Sequence, residues 1–124
     1  MDCRIELIFV PVSDVDRARD FYVDTIGFTL DHDVRVSETL RFVQVTPVGS
    51  ACSIAFGEGL GEQMVIGTQK GIQVVVDSAQ AAYDELVSRG VEATPVEELA
   101  WGIFTGFSDP DGNSWAIQEL PQRG

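Results

Sequence analysis

A chain of 124 residues and 13.5 kDa is the size of one ordinary domain, which excludes an enzyme with separate cofactor and substrate lobes. Its 44% hydrophobic and 23% charged residues supply a real core and exclude a disordered tail protein. Eight Lys and Arg against 20 Asp and Glu leave a net charge of −12, which repels phosphate backbones and anionic headgroups, so neither nucleic acid nor a membrane surface is an expected partner.

In chain order, the apolar run over residues 7–12 predicts a first strand. Asp14 follows as N-cap, and Val15, Ala18, Phe21 and Tyr22 recur at helical spacing before Gly27. More strand is predicted over 28–30, 40–46 and 52–56, with Gly49-Ser50 turning between the last two. The glycine- and glutamate-rich stretch 57–70 is the expected linker. The pattern then restarts. A strand over 72–76 leads to Asp77, a helix carries Ala81, Ala82, Leu86 and Val87, and Gly90 closes it. Strands over 91–94, 103–107 and 115–120 follow, with Asp109-Pro-Asp-Gly-Asn113 as a turn. Asp77 follows Asp14, and Gly90 follows Gly27, by the same 63 positions, so the chain reads as a repeat.

Each half is thus β-α-β-β-β, and the fold class is α+β. The two modules, about 4–57 and 71–121 with the linker between them, are expected to make one curved, cup-like mixed sheet of about eight strands within a single domain, with the helices outside. Strand alternation assigns the faces. Ile8, Val10 and Val12 pack under the first helix, which turns Leu7 and Phe9 inward, and Gly71, Gln73 and Val75 face inward opposite Ile72, Val74 and Val76. Trp115 and Ile117 share one face of the last strand, and Ala116 and Gln118 share the other. Trp115, Phe21 and Tyr22 read as helix-facing core.

The two cysteines, Cys3 and Cys52, lack CxxC spacing, no basic region precedes an apolar signal-like stretch, and no apolar run approaches the ~20 residues that span a bilayer. Buried, reduced structural thiols in the cytoplasm are the expectation, with a Cys3–Cys52 disulfide as the alternative.

Val12-Ser-Asp-Val-Asp-Arg-Ala-Arg-Asp-Phe-Tyr22 with Ile26-Gly-Phe28, the matching second βα unit, and Phe107-Ser-Asp-Pro-Asp-Gly-Asn113 resemble the vicinal oxygen chelate superfamily of glyoxalase I, bleomycin-resistance proteins and extradiol dioxygenases. The residues 45–57 and 109–119 further resemble small bacterial members of that superfamily without an assigned activity. The resemblance implies the two-module fold and a homodimer, and in members that do chemistry a divalent metal held by a His on the first strand of each half and a carboxylate on a last strand. Here the corresponding positions carry Leu7, Gly71 and Ala116, and the region 52–56 has neither carboxylate nor imidazole. With one histidine in the chain, a site of several imidazoles cannot form within it. His32, between Asp31 and Asp33, reads as a surface residue after the second strand, or else joins those carboxylates in a loose surface cation site. No metal and no cofactor are expected.

What remains is a binding surface for a small apolar or aromatic ligand, with Phe9, Gln44, Phe56, Gln73, Trp101 and Gln118 as its candidate residues. Gln73 and Gln118 offer neutral hydrogen bonds, or bond each other. Trp101, in a loop entering the seventh strand, stacks on a planar ligand or plugs a dimer interface. Arg41 is either a carboxylate anchor or a surface charge. The leading reading is drug or metabolite sequestration. The alternative is a glyoxalase-like lyase, isomerase or dioxygenase with an atypical metal site, or with Glu6 or Glu119 as acid–base.

Overall fold

The computed structural model describes residues 1–60 and 64–121. Gly61, which ends the glycine-rich part of the expected linker, lies outside the described residues, as do 62 and 63. The chain divides into two compact units, Met1–Thr68 and a second beginning at Gln69.

The first unit runs β1 (Leu7–Phe9), α1 (Val15–Asp20), a π-helical turn (Phe21–Ile26), β2 (Thr29–Arg35), β3 (Arg41–Thr46) and β4 (Ser53–Glu58). The second runs β5 (Ile72–Val76), α2 (Ala79–Ser88), β6 (Thr94–Leu99), β7 (Gly102–Ser108) and β8 (Ser114–Glu119). Their sheets have the same topology, β1-β4-β3-β2 and β5-β8-β7-β6, with the first strand of each unit parallel to the last and the other pairings antiparallel. The fold is therefore α+β, two tandem βαβββ modules each built on a four-stranded mixed sheet.

Asp14 caps α1, its carboxylate accepting from Arg17 N at 3.0 Å. In α2 the cap is Ser78, one residue beyond the repeat partner Asp77, and its hydroxyl accepts from Ala81 N at 3.1 Å. Gly27 and Gly90 both take left-handed backbone, φ +94° and +78°. The distance from cap to glycine is consequently one residue longer in the first module. The widened π turn accommodates that extra residue, with Gly27 N donating to Tyr22 O at 3.1 Å.

Both edge strands depart from expectation. β2 continues past Leu30 to Arg35, so His32 lies within the strand and not after it, and β6 spans Thr94–Leu99 where 91–94 was expected. Their sequences, TLDHDVR and TPVEEL, lack apolar alternation because an edge strand needs only one paired side and gains from exposed charge. Each also carries a register shift, between Leu30 and His32 and between Thr94 and Glu97. Pro95 sits within the second shift, where its missing N–H costs no ladder bond. At β1 the ladder stops before Pro11, although Val10 N still donates to Ala55 O at 2.9 Å.

One face of each sheet packs on its helix. In the first unit Tyr22, fully buried, lies against Phe56, Phe28 and Phe21 at ring-centroid distances of 5.7, 5.9 and 5.3 Å, over Val43, Val45 and Ile54. In the second, Phe107 stacks on Trp115 at 5.7 Å beside Ile117, under Ala79 and Leu86. The Asp109 carboxylate organises the turn before β8, accepting from Asp111 N, Asn113 N and Asn113 Nδ2 at 2.8–2.9 Å.

Of the described glycines, Gly57 has the least room for a side chain. A Cβ there would lie 1.9 Å from the Arg41 carbonyl oxygen, a backbone atom that cannot rotate away. Gly57→Ala is expected to destabilise the protein by about 2 kcal/mol, read as a lowered urea midpoint at unchanged m-value.

Candidate functional site: the sheet faces away from the helices

Registers place Leu7, Phe9, Phe42, Gln44, Thr46, Ser53, Ala55 and His32 on the face of the first sheet opposite the helix, in agreement with the alternation. Phe9, Ala55, Gln44 and His32 form one row across the four strands, and Leu7, Ser53 and Thr46 form the next. Phe9 is 40% exposed. Phe56 is not on this face: it pairs with Val43, turns toward Tyr22, and is 1% exposed. Phe9 and Phe56 do both border a cavity of ≈ 290 Å³ that Pro11, Leu60 and Met64 help to line.

A line of hydrogen bonds crosses this face. Thr46 Oγ1 donates to Asp31 Oδ2. With that proton committed, Ser53 Oγ donates to Thr46 Oγ1 at 2.6 Å, and Gln44 Nε2 donates to Ser53 Oγ at 3.3 Å. Asp31 reaches Thr46 because it is the extra residue of the β2 register shift. Thr46 and Ser53 were absent from the sequence candidates, and Asp31 entered only beside His32 as part of a loose surface cation site. Alternation from Gln44 would have found Thr46, but a bulge leaves no mark in residue periodicity.

In the second unit Gly71, Gln73, Val75, Ala116, Gln118, Phe104 and Gly106 belong to the face opposite α2. Gln73 Nε2 donates to Gln118 Oε1 at 2.6 Å, and Gln118 Nε2 donates to the Trp101 carbonyl at 2.8 Å. The two amides therefore satisfy each other, and Gln118, 8% exposed, ties down the β6–β7 turn. That turn presents the Trp101 indole at 62% exposure, while Trp115 is 3% exposed in the core. Val75 stands 59% exposed on the neighbouring strand.

Arg41 and Glu119 have structural duties, whereas Glu6 is exposed. Arg41 faces the helix side, its Nε and Nη2 on Asp33 at 3.1 and 3.0 Å and its Nη1 on Asp16 at 2.8 Å, while Arg19 Nη1 joins Asp33 at 2.9 Å. These bonds, the Arg41 contact foremost, hold the Asp33 carboxyl below the usual carboxylate range and raise the Arg41 guanidinium above its ordinary value. Glu119 Oε1 accepts from Ala79 N at 2.9 Å, stabilising the first turn of α2 on the helix side of the sheet. Cys3 and Cys52 are free thiols, the first exposed.

A divalent metal of the kind the fold family uses does not fit these residues. The corresponding ligand positions hold Leu7 on β1, Gly71 just before β5 and Ala116 on β8, and the neighbouring polar groups on the second sheet are amides already bonded to one another. Among the described residues, no group of three or more His, Cys, Asp or Glu could hold a metal ion. Nor is any described helix long and apolar enough to cross a membrane.

Two tandem βαβββ units with a hydrogen-bonding face opposite each helix define a two-module scaffold on which different members hold metals or ligands. The chain belongs to the Glyoxalase/Bleomycin resistance protein/Dioxygenase superfamily, whose family model matches residues 4–117. It is similar to TnmS3, an antibiotic binding protein from Streptomyces sp. CB03234, with 33% identity, coverage of 97% of this chain and 98% of that one, and a TM-score of 0.86. A member of the superfamily from Sphaerobacter thermophilus DSM 20745 is 34% identical, with 95% and 98% coverage and a TM-score of 0.82. The Bacillus subtilis (strain 168) protein YetH is 23% identical over 120 residues, 94% of this chain and 98% of its own length.

Proposed function

We propose that the protein binds and sequesters a small apolar or aromatic molecule, with both modules acting as one cytoplasmic glyoxalase/bleomycin-resistance-like domain in a homodimer. The observation that carries this reading is the composition of the faces away from the helices: exposed Phe9, Val75 and Trp101 beside neutral amides, where metal-using relatives need imidazole and carboxylate. An exposed indole held by a tied-down turn is a preorganised stacking surface, since the backbone under it is already ordered before a ligand arrives. Similarity to an antibiotic binding protein over 97% of the chain supports the same reading.

Native mass spectrometry of protein purified without tag or chelator tests it. The expected spectrum is a dimer mass, metal-free, with or without an organic adduct. Where an adduct is carried, Trp101→Ala is expected to lose it while keeping the dimer, because truncating so exposed a side chain costs little stability. A stoichiometric divalent metal that survives buffer exchange would overturn the reading in favour of a glyoxalase-like enzyme.

A further inference from the structure

The two modules share a topology but not a polar interior. In the first, Gln44 lies beside Ala55; in the second, the position beside Ala116 is Gly106. Ser53 opens β4 as Ser114 opens β8, yet their hydroxyls serve different ends. Ser114 Oγ accepts from Gly71 N at 2.9 Å, a backbone bond that fastens strand to strand. Ser53 Oγ instead joins Thr46 and Gln44, whose counterparts in the second copy are Ser108, paired with Ser114, and Gly106, which has no side chain to continue a line. The second module shows that this fold forms without the Gln44-Ser53-Thr46-Asp31 line, so the demands of the sheet do not account for it.

The line also has a direction. Each hydroxyl proton is handed toward the Asp31 carboxylate, so the two ends of the line carry acceptor oxygens, Asp31 Oδ1 and Gln44 Oε1. Ser53 is 5% exposed, whereas Asp31 is exposed, so the line leads from the interior to solvent. Phe9 and Gln44 flank Ala55 in one row, the smallest side chain of that row lying between an aromatic ring and an amide. Acceptors at fixed positions, one of them ionised, are complementary to a group that only donates hydrogen bonds and carries positive charge, while Phe9, on the opposite edge strand of the same face, is left for the aromatic body of the ligand.

We propose that this face anchors a protonated amino group or other cationic donor on an aromatic ligand, with Asp31 as counter-ion and Thr46, Ser53 and Gln44 holding it in place. The proposal rests on the small-molecule-binding reading and adds the chemistry of the ligand's polar end. Phosphate or carboxylate ligands are disfavoured here, because the Asp31 carboxylate at the solvent end of the line repels their charge.

The test uses two planar dyes of nearly the same shape, cationic 9-aminoacridine and uncharged acridone, titrated by fluorescence at constant ionic strength. The wild type is expected to bind 9-aminoacridine about tenfold more tightly than acridone. Asp31→Asn should abolish that preference while leaving acridone affinity unchanged, and Thr46→Val should reduce the preference about threefold. Asp84→Asn, which removes an exposed charge from α2, should leave the preference intact and so separates the anchor from the general pull of an acidic protein. Melting temperatures confirm that each variant is folded, and Thr46→Val decides if Asp31→Asn is not. A preference that survives in both Asp31→Asn and Thr46→Val overturns the anchor alone, with binding of acridone still supporting the small-molecule reading. Absence of saturable binding of either dye to the wild type overturns both.

Discussion

A Phe56→Ala protein is expected to be about 4 kcal/mol less stable than the wild type. The ring is 1% exposed and packs 5.7 Å from the ring of Tyr22, which is itself fully buried, so truncation leaves a cavity between sheet and helix that backbone ties prevent from closing. Small domains are stable by roughly 5–15 kcal/mol, so the variant should show a sharply lowered urea midpoint or fail to accumulate. The measurement also separates two duties for Phe56. A side chain that served the ligand would cost affinity and little stability on removal, as expected for the 40% exposed Phe9. A stability loss under 1 kcal/mol would return Phe56 to the ligand surface.

Arg41→Ala should cost about 3 kcal/mol, because Asp33 would remain partly buried after losing two of its donors. Arg41 joins Asp33 of β2 to Asp16 of α1, and Arg19 adds a second link from helix to edge strand. The loss would therefore fall on the seam between α1 and the sheet. The same ion group makes stability depend on pH in a definite direction. Its Arg partners lower the folded-state pKa of Asp33, so the native state holds this proton more weakly than the unfolded chain does. The resulting stabilisation is complete above the unfolded carboxylate pKa of about 4, and is lost as pH falls through that value and the lower folded one. Glu58, held low by Arg35 on the surface, acts in the same direction. Urea midpoints measured through the acid range should therefore fall less steeply with pH for Asp33→Asn than for the wild type. Equal slopes would mean that Asp33 is not ionically committed in the native state.

Much of this protein was legible in its residues because the signals are local. The repeat, the α+β class and the inward positions of Leu7, Phe9, Gln73 and Gln118 follow from alternation on strands whose two faces differ in polarity. Helix ends were nearly as clear, since an Asp cap and a glycine with positive φ are backbone requirements that few other residues meet. Legibility fails where the second side of an element is solvent. β2 and β6 carry the charge of edge strands, and past Leu30 and Thr94 nothing in their residues marks a strand until β3 and β7 lie beside them.

The sequence by itself determined that two β-α-β-β-β modules would form and that Trp115 would be core, consequences of residue type at a fixed periodicity, while the family resemblance put Leu7, Gly71 and Ala116 where metal-using members carry ligands. Only the tertiary structure decided that Gln73 and Gln118 bond each other, that Arg41 serves Asp33 and Asp16 on the helix side, and that Asp31 closes a hydrogen-bond line with Thr46 and Ser53. Each of those depends on cross-strand register, and a single bulged residue shifts that register without changing the local pattern that periodicity reads.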